Sequence, residues 1–183
     1  MHKGKLKIFT KKPSWILVGS LMSTPLLGID FGLGRAPTSG EIAKDWHKPI
    51  GPQGQNLPVG KGQAQQGEAL YQSFCAACHG KNLEGGVAFK APRLIGGRGS
   101  LSSDKPVKTV ESYWPYATTL FDYIKRAMPM MSPGILSDDQ VYALSAYILA
   151  KSDIIPYEQV LDHKNLPQVQ MPNRDGFVSN WEK

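Results

Sequence analysis

Apolar residues recur at the three- and four-residue spacing of an α-helix in three parts of the chain. This spacing predicts helices over about 63–74, 118–127 and 138–151. Their apolar positions, in chain order, are Ala64, Gly67, Leu70, Tyr71, Phe74, Leu120, Phe121, Ile124, Ala127, Val141, Leu144, Tyr147 and Ile148. No alternation of apolar and polar residues is strong enough to require a sheet. We therefore expect an all-α fold with three main helices.

The last of these helices has the clearest ends. Ser137 is placed as its N-cap, and Gln140, three residues later, completes a capping box. The second helix is expected to stop before Pro129, because proline cannot continue the hydrogen-bond pattern. Residues 128–134 should then form an ordered loop without helical structure.

The other segments divide the chain into four expected parts. They are a signal peptide or anchor (1–34), an N-terminal arm (35–62), a helical domain (63–152) and an irregular C-terminal extension (153–183). Within the arm, Thr38 and Glu41 fit a capping box that opens one short helix toward Trp46. The rest of the arm and the extension show no periodicity.

The first segment predicts export. Its lysines precede an apolar stretch from Ser14 to Ile29, which is short for a membrane span of about 18–20 residues and contains Pro25. A cleaved signal and a retained anchor both remain open, and both place the chain in the periplasm.

The segment holds five of the 21 basic residues and one of the 15 acidic residues, so the remaining chain carries a net charge of only +2. That balance gives no case for a nucleic-acid partner.

The chemistry of the chain is concentrated in Cys75, Cys78 and His79. Cys-x-x-Cys-His is the attachment signature of c-type haem. Two thiols three positions apart on a helical turn reach the two vinyl groups of one porphyrin, and the next residue lies under the iron. We expect one covalent haem c, with His79 as an iron ligand. A Gly-rich loop at 80–106, long for a compact domain, suits the wrapping of such a cofactor.

Other uses of two cysteines fit less well. A thioredoxin-like pair needs a βαβ pattern, which the sequence lacks. A zinc site needs more ligands, and the other histidines, His2, His47 and His163, show no paired spacing. A structural disulfide is the third alternative. Gly96–Gly99 follows no clear strand, which disfavours a phosphate-binding loop.

The sixth iron ligand decides between electron transfer and ligand binding. Methionine beside histidine raises the haem potential and fills the coordination shell. The candidates are Met128, Met130 and Met131, of which Met128 is favoured because it ends a helix and precedes a proline. An open sixth site would instead indicate a ligand-binding sensor or a haem enzyme. We expect an electron carrier with no catalytic site of its own.

Further residues are assigned to the surroundings of the haem. The carbonyl of Pro92 should accept the second ring N–H of His79, and Leu94 should pack on the haem face. The candidates for pairing with the haem propionates are Arg98, Tyr113, Trp114 and Tyr116.

These residues resemble the class I c-type cytochromes. The matching positions are Gly67, Tyr71, Cys75, Cys78, His79, Pro92, Leu94, Met128, Pro129, Leu144 and Tyr147. The resemblance implies that the first and last helices cross, with Gly67 permitting a close approach and Tyr71 packing on Tyr147.

A narrower resemblance is to the cytochrome subunits of periplasmic sulfur-compound dehydrogenases. It is carried by residues 107–124, 136–149 and 171–177. It implies that the chain accepts electrons from a molybdenum-cofactor subunit that oxidises sulfite or sulfane sulfur, and passes them to a downstream cytochrome or oxidase. Some sulfane dehydrogenase cytochromes carry two haems, whereas this chain has a single attachment motif. A free soluble shuttle and an oxidase-associated cytochrome remain alternatives.

Overall fold

The computed structural model describes residues 48–86 and 89–178. The helices of this part are α1 (Ala64–Phe74), α2 (Ala76–His79), α3 (Ala117–Ala127) and α4 (Asp138–Lys151). The strands are β1 (Lys61–Gln63) and β2 (Val160–Asp162), and single turns of 3-10 helix lie at Ser100–Ser102 and Leu166–Gln168. The all-α class is confirmed, with the three expected helices as α1, α3 and α4. The expected signal or anchor (1–34) and the short helix from Thr38 to Trp46 lie outside the described residues.

Helices α1 and α4 cross in backbone contact at Gly67. A Cβ placed on Gly67 would lie 1.9 Å from the carbonyl oxygen of Ala143 and 2.8 Å from Cβ of Tyr147. One turn further along α1, the buried rings of Tyr71 and Tyr147 pack together. The close approach and the aromatic pair implied by the family resemblance are both confirmed. This crossing fixes the end of α1 that leads into the cysteine motif.

Helix α4 begins as the sequence predicts but is buried more completely than expected. The Ser137 hydroxyl accepts the N–H of Gln140 at 3.3 Å, and the Gln140 side chain accepts the N–H of Ser137 at 2.9 Å. The apolar pattern predicts one buried stripe, yet every residue from Val141 to Leu149 is buried. Tyr142 and Ser145 are accommodated because their hydroxyls donate to the carbonyls of Pro58 and Val141, each at 2.8 Å.

The C-terminal segment supplies much of this additional cover. Strand β2 pairs antiparallel with β1, with Gly62 opposite Leu161. Leu161, Leu166 and Met171 are buried in the same core as the helices. The sequence has no alternation strong enough to require a sheet, and it did not predict this one, which has only two short strands. Apolar residues without a helical period can still anchor an irregular segment to a core.

The end of the N-terminal arm also contacts the helices. The N–H of Ile50 donates to Asp122 on α3 at 3.3 Å, and the N–H of Lys61 donates to Asp139 on α4 at 2.8 Å. Ile50 and Leu57 are partly buried against the core. Within residues 48–86 and 89–178, no helix is long and apolar enough to cross a membrane.

Candidate haem site

The cysteine motif lies on two helices that meet at Cys75. Helix α1 ends at Phe74, Cys75 leaves helical geometry with φ −120° and ψ −36°, and α2 then runs from Ala76 to His79. The N–H of Cys75 still bonds to the Tyr71 carbonyl at 2.8 Å, and that of His79 bonds to the Cys75 carbonyl at 2.9 Å. Helical backbone hydrogen bonds therefore continue through the change of direction at Cys75. It places both thiols and the imidazole within little more than one helical turn.

The two thiols are partly buried and form no disulfide with each other. Burial, and secondarily the neighbouring Cys78 thiol, raises the pKa of Cys75 to about 11. Cysteines used for thiol–disulfide exchange have lowered pKa values, so this environment does not suit a redox-active thiol. The described residues hold no group of three or more His, Cys, Asp or Glu side chains that could bind a metal ion by themselves. The raised pKa of Cys75 weighs against the thioredoxin-like alternative.

One nitrogen of the His79 ring is oriented by the backbone. Nδ1 lies 2.9 Å from the carbonyl oxygen of Pro92. A carbonyl oxygen only accepts, so Nδ1 is the donor in this contact, and Nε2 is the ring nitrogen left to bind a metal ion. A neutral imidazole whose other nitrogen is hydrogen-bonded is the usual form of a metal-ligating histidine.

The loop after His79 folds back onto the motif. The N–H of Gly85 donates to the His79 carbonyl at 2.7 Å, and that of Gly86 donates to the Ala91 carbonyl at 3.1 Å. A Cβ on Gly86 would lie 1.8 Å from the carbonyl oxygen of Cys78, so only glycine fits. On the other side of the motif, the Tyr71 hydroxyl donates to the Gly80 carbonyl at 2.8 Å. The motif is thus enclosed by hydrogen bonds from both α1 and the loop.

The three methionine candidates differ in burial. Met128 follows the end of α3 and is partly buried against the core. Met130 and Met131 expose 69% and 86% of their surface. A methionine held against the core keeps its sulfur in a defined position at lower entropic cost than an exposed one. The assignment of Met128 as the sixth ligand is consistent with this placement and stays a prediction.

Leu94 lies where the loop meets the core. It is partly buried, its N–H donates to the Leu83 carbonyl at 2.9 Å, and its carbonyl accepts from Val110 at 3.1 Å. Trp114 is partly buried and its ring meets that of Tyr123 edge-on, with the centroids 5.6 Å apart. Both residues have the apolar surroundings that packing against a porphyrin needs.

The proposed propionate partners are engaged with protein groups. Arg98 forms an ion pair with Glu111, a residue that the sequence analysis did not single out. The guanidinium of Arg174 lies 4.8 Å from the Tyr116 ring centroid, and the Tyr113 ring meets Phe177 edge-on. The C-terminal segment therefore contacts both Tyr113 and Tyr116. No sequence pattern signalled these contacts, because the partners lie in separate segments.

Comparison with known proteins gives a consistent result. Residues 64–152 match the family model described as cytochrome c. A chain in the crystal structure of the sulfane dehydrogenase SoxCD from Paracoccus pantotrophus is 42% identical, with 82% of this chain and 73% of that chain covered and a TM-score of 0.72. This protein belongs to the cytochrome c family. A comparison with curated proteins found no significant match for this cytochrome.

Family membership implies covalent haem c, and the site of this cytochrome fits it. Cys75 and Cys78 offer two thiols for thioether links, and His79 offers Nε2 as an iron donor. Each donor is the type that c-type haem requires. The protein is therefore an electron-transfer haem protein.

Proposed function

We propose that this cytochrome is an exported periplasmic carrier with one haem, which accepts single electrons from a molybdenum-cofactor subunit that oxidises sulfite or sulfane sulfur. The observation that carries the proposal is the 42% identity to a chain of the sulfane dehydrogenase SoxCD over 82% of this sequence. The match extends far beyond the 89 residues from 64 to 152 that the general cytochrome c model covers. Similarity in the flanking segments is what an enzyme-specific subunit would retain.

The residues of the candidate site would have different roles in holding the haem. Cys75 and Cys78 would bind it covalently, and His79 and Met128 would hold its iron. Haem iron supplies a reversible one-electron change, and methionine ligation favours the reduced state. With His79 and Met128 both bound to the iron, dioxygen and other ligands would be excluded. Pro92 would keep the His79 ring in one tautomer, and Leu94 and Trp114 would exclude water from the haem faces.

The proposal includes only one haem, because the chain contains only two cysteines. The sulfur substrate of the partner is left as sulfite or sulfane sulfur, since the electron carrier itself binds neither. The downstream acceptor is proposed to be a second cytochrome or an oxidase. Residues 1–34 would direct export and would anchor the protein to the membrane only if they are retained.

The decisive experiment combines native purification with reduction kinetics. The cytochrome is isolated from its own periplasm, its mass is measured, and co-purifying proteins are assayed for molybdenum. We expect one haem per chain and a bound molybdenum subunit. The measured mass also shows whether residues 1–34 have been removed or are retained as an anchor. Adding sulfite or a sulfane donor to this complex should then reduce the haem.

Two outcomes would count against the proposal. A high-spin spectrum of the oxidised protein would indicate an open iron site and a ligand-binding role. A low-spin protein that is never reduced by the co-purified proteins, whichever sulfur compound is added, would instead indicate a free shuttle or an oxidase-associated cytochrome.

A further inference from the structure

The loop that supplies the acceptor for His79, defined here as the histidine-side loop (92–98), is held by a neighbouring segment. The N–H of Val110 donates to the Leu94 carbonyl at 3.1 Å. The Thr109 hydroxyl donates to the Gly96 carbonyl at 2.7 Å. The loop itself contains no helix or strand, so its position depends on such contacts.

The centre of this arrangement is a carboxylate with two different partners. One oxygen of Glu111 accepts the N–H of Gly96 at 2.5 Å, and the other lies 2.7 Å from Nε of Arg98. Arg98 also donates to the carbonyl of Ser152, the C-cap of α4. The Glu111 side chain is only 13% exposed, whereas that of Arg98 is 45% exposed. Glu111 therefore connects two points of the histidine-side loop, and Arg98 extends the connection to α4.

The contacts that Glu111 and Arg98 make are of types that stabilise a loop strongly. Hydrogen bonds to an ionised carboxylate are about twice as strong as those between neutral groups. A cation at the end of a helix is also stabilised by the partial negative charge of the last carbonyls. Glu111 is the more buried member of the pair, so removing Arg98 leaves a largely desolvated carboxylate without its cation, which costs more than losing a fully exposed pair.

We infer that the Arg98–Glu111 pair is a positioning device for the iron-ligating histidine. The pair fixes the histidine-side loop, the loop fixes the Pro92 carbonyl, and that carbonyl fixes the ring plane and tautomer of His79. The inference rests on the proposed ligation of iron by His79. It gives Arg98 a protein carboxylate as its partner, where the sequence analysis placed a haem propionate.

The test uses the haem-loaded full chain carrying Glu111→Gln. Glu68→Gln is the matched control, because it makes the same chemical change on α1, where Glu68 accepts only the Tyr157 hydroxyl among the contacts described. Three quantities are measured: amide hydrogen exchange at Leu94 and Gly96, the NMR resonance of the His79 Nδ1 proton, and the reduction potential. We expect Glu111→Gln to accelerate exchange at least tenfold, to move the resonance and to change the potential. The control should leave all three as in the wild type.

A second pair of variants separates positioning from a simple charge effect. If positioning is correct, Arg98→Gln moves the exchange rates and the His79 resonance in the same direction as Glu111→Gln, and the double variant is no worse than either single one. A charge effect alone would shift the potential in opposite directions in the two single variants, cancel in the double variant and leave exchange unchanged. That pattern would overturn the inference. If Glu111→Gln does not fold, Arg98→Lys replaces it in the test. This variant keeps the positive charge but loses the planar guanidinium that bonds to Glu111 and Ser152, so loop exchange and the His79 resonance should still change.

The result also separates this inference from the proposed function. If the wild type lacks a low-spin spectrum, the proposed histidine and methionine ligation fails. If the wild type has that spectrum but Glu111→Gln leaves the His79 resonance and the loop exchange unchanged, only the positioning role is refuted. A reduction potential that changes in Arg98→Gln but not in Glu111→Gln would indicate that Arg98 pairs with a haem propionate, as the sequence predicts.

Discussion

The rings of Tyr71 and Tyr147 lie with their centroids 5.3 Å apart and their planes inclined by 46°. Tilted aromatic pairs at this separation add about 0.5–1.5 kcal/mol beyond the area they bury. Tyr71 also lies on α1 four residues before Cys75, which directly follows the helix, so the pair connects α4 to the haem attachment motif. The stability of the core and the geometry of the site therefore depend on the same crossing.

The crossing itself can be tested at Gly67. Gly67→Ala would place a methyl group 1.9 Å from the Ala143 carbonyl oxygen, so α1 and α4 must separate. We expect a loss of about 1–3 kcal/mol in the free energy of unfolding, measured by denaturant titration of the haem-loaded protein. Gln65→Ala, at an exposed position of α1, should change stability by less than about 0.5 kcal/mol. Equal stability of the two variants would contradict the close approach.

The Tyr71 hydroxyl gives a more local prediction. Tyr71→Phe keeps the ring but leaves the Gly80 carbonyl without its donor at 2.8 Å, and Tyr142→Phe does the same to Pro58. We expect each variant to lose about 1–3 kcal/mol of stability. Only Tyr71→Phe should also shift the NMR resonances of the His79 ring, because only Gly80 adjoins the motif. Shifts of similar size in both variants would show that the effect is not local.

Iron ligation can be tested at the three methionines. Met128→Leu should abolish the weak band near the red end of the oxidised spectrum and lower the reduction potential, because a methionine ligand raises it. Met130→Leu and Met131→Leu should leave both unchanged, since these side chains are largely exposed. If Met131→Leu removes the band and Met128→Leu does not, the ligand assignment moves to Met131.

The C-terminal segment is expected to contribute to global stability. Leu161 is completely buried in the core, whereas the adjacent Val160 is 44% exposed. Leu161→Ala should reduce the free energy of unfolding by about 2–5 kcal/mol, because it leaves a cavity. Val160→Ala, the matched control on the same strand, should cost far less. Similar small losses in both would mean that the segment can detach without unfolding the domain.

Alkaline pH should weaken one contact of this segment. The hydrogen bond to the Glu68 carboxylate, followed by burial, raises the pKa of Tyr157 from 10.0 to about 12. The native state therefore favours the protonated phenol, a contribution that is complete below pH 10.0 and is lost as the pH rises through about 12. The wild type should lose stability across this interval more steeply than Tyr157→Phe, measured by denaturant titration at each pH. Parallel profiles would exclude the contribution.

The features that residue spacing alone predicted correctly are local ones. Ser137 and Gln140 lie within one helical turn, so their capping box is readable from spacing alone. The β1–β2 pairing was missed because Lys61 and Asp162 are opposite each other but far apart in the sequence, and strands of three residues carry no measurable alternation.

The candidate site divides in the same way. The arrangement of Cys75, Cys78 and His79 follows from their spacing, and the Pro92 carbonyl lies beside His79 as expected. The partner of Arg98 could not be inferred, because Glu111 belongs to another segment and its burial is set by the folded chain. Ligation by Met128 and haem contacts of Leu94 and Trp114 stay predictions.

The burial of α4 limits where this cytochrome is free to vary. From Val141 to Leu149 each side chain is enclosed, so a substitution there disturbs the packing of α1, α3, β1 or the C-terminal segment before it alters any surface. Adaptation to a new redox partner has to use other positions, such as the exposed residues from Met130 to Ile135. Related chains should therefore diverge in that loop while the sequence of α4 changes slowly.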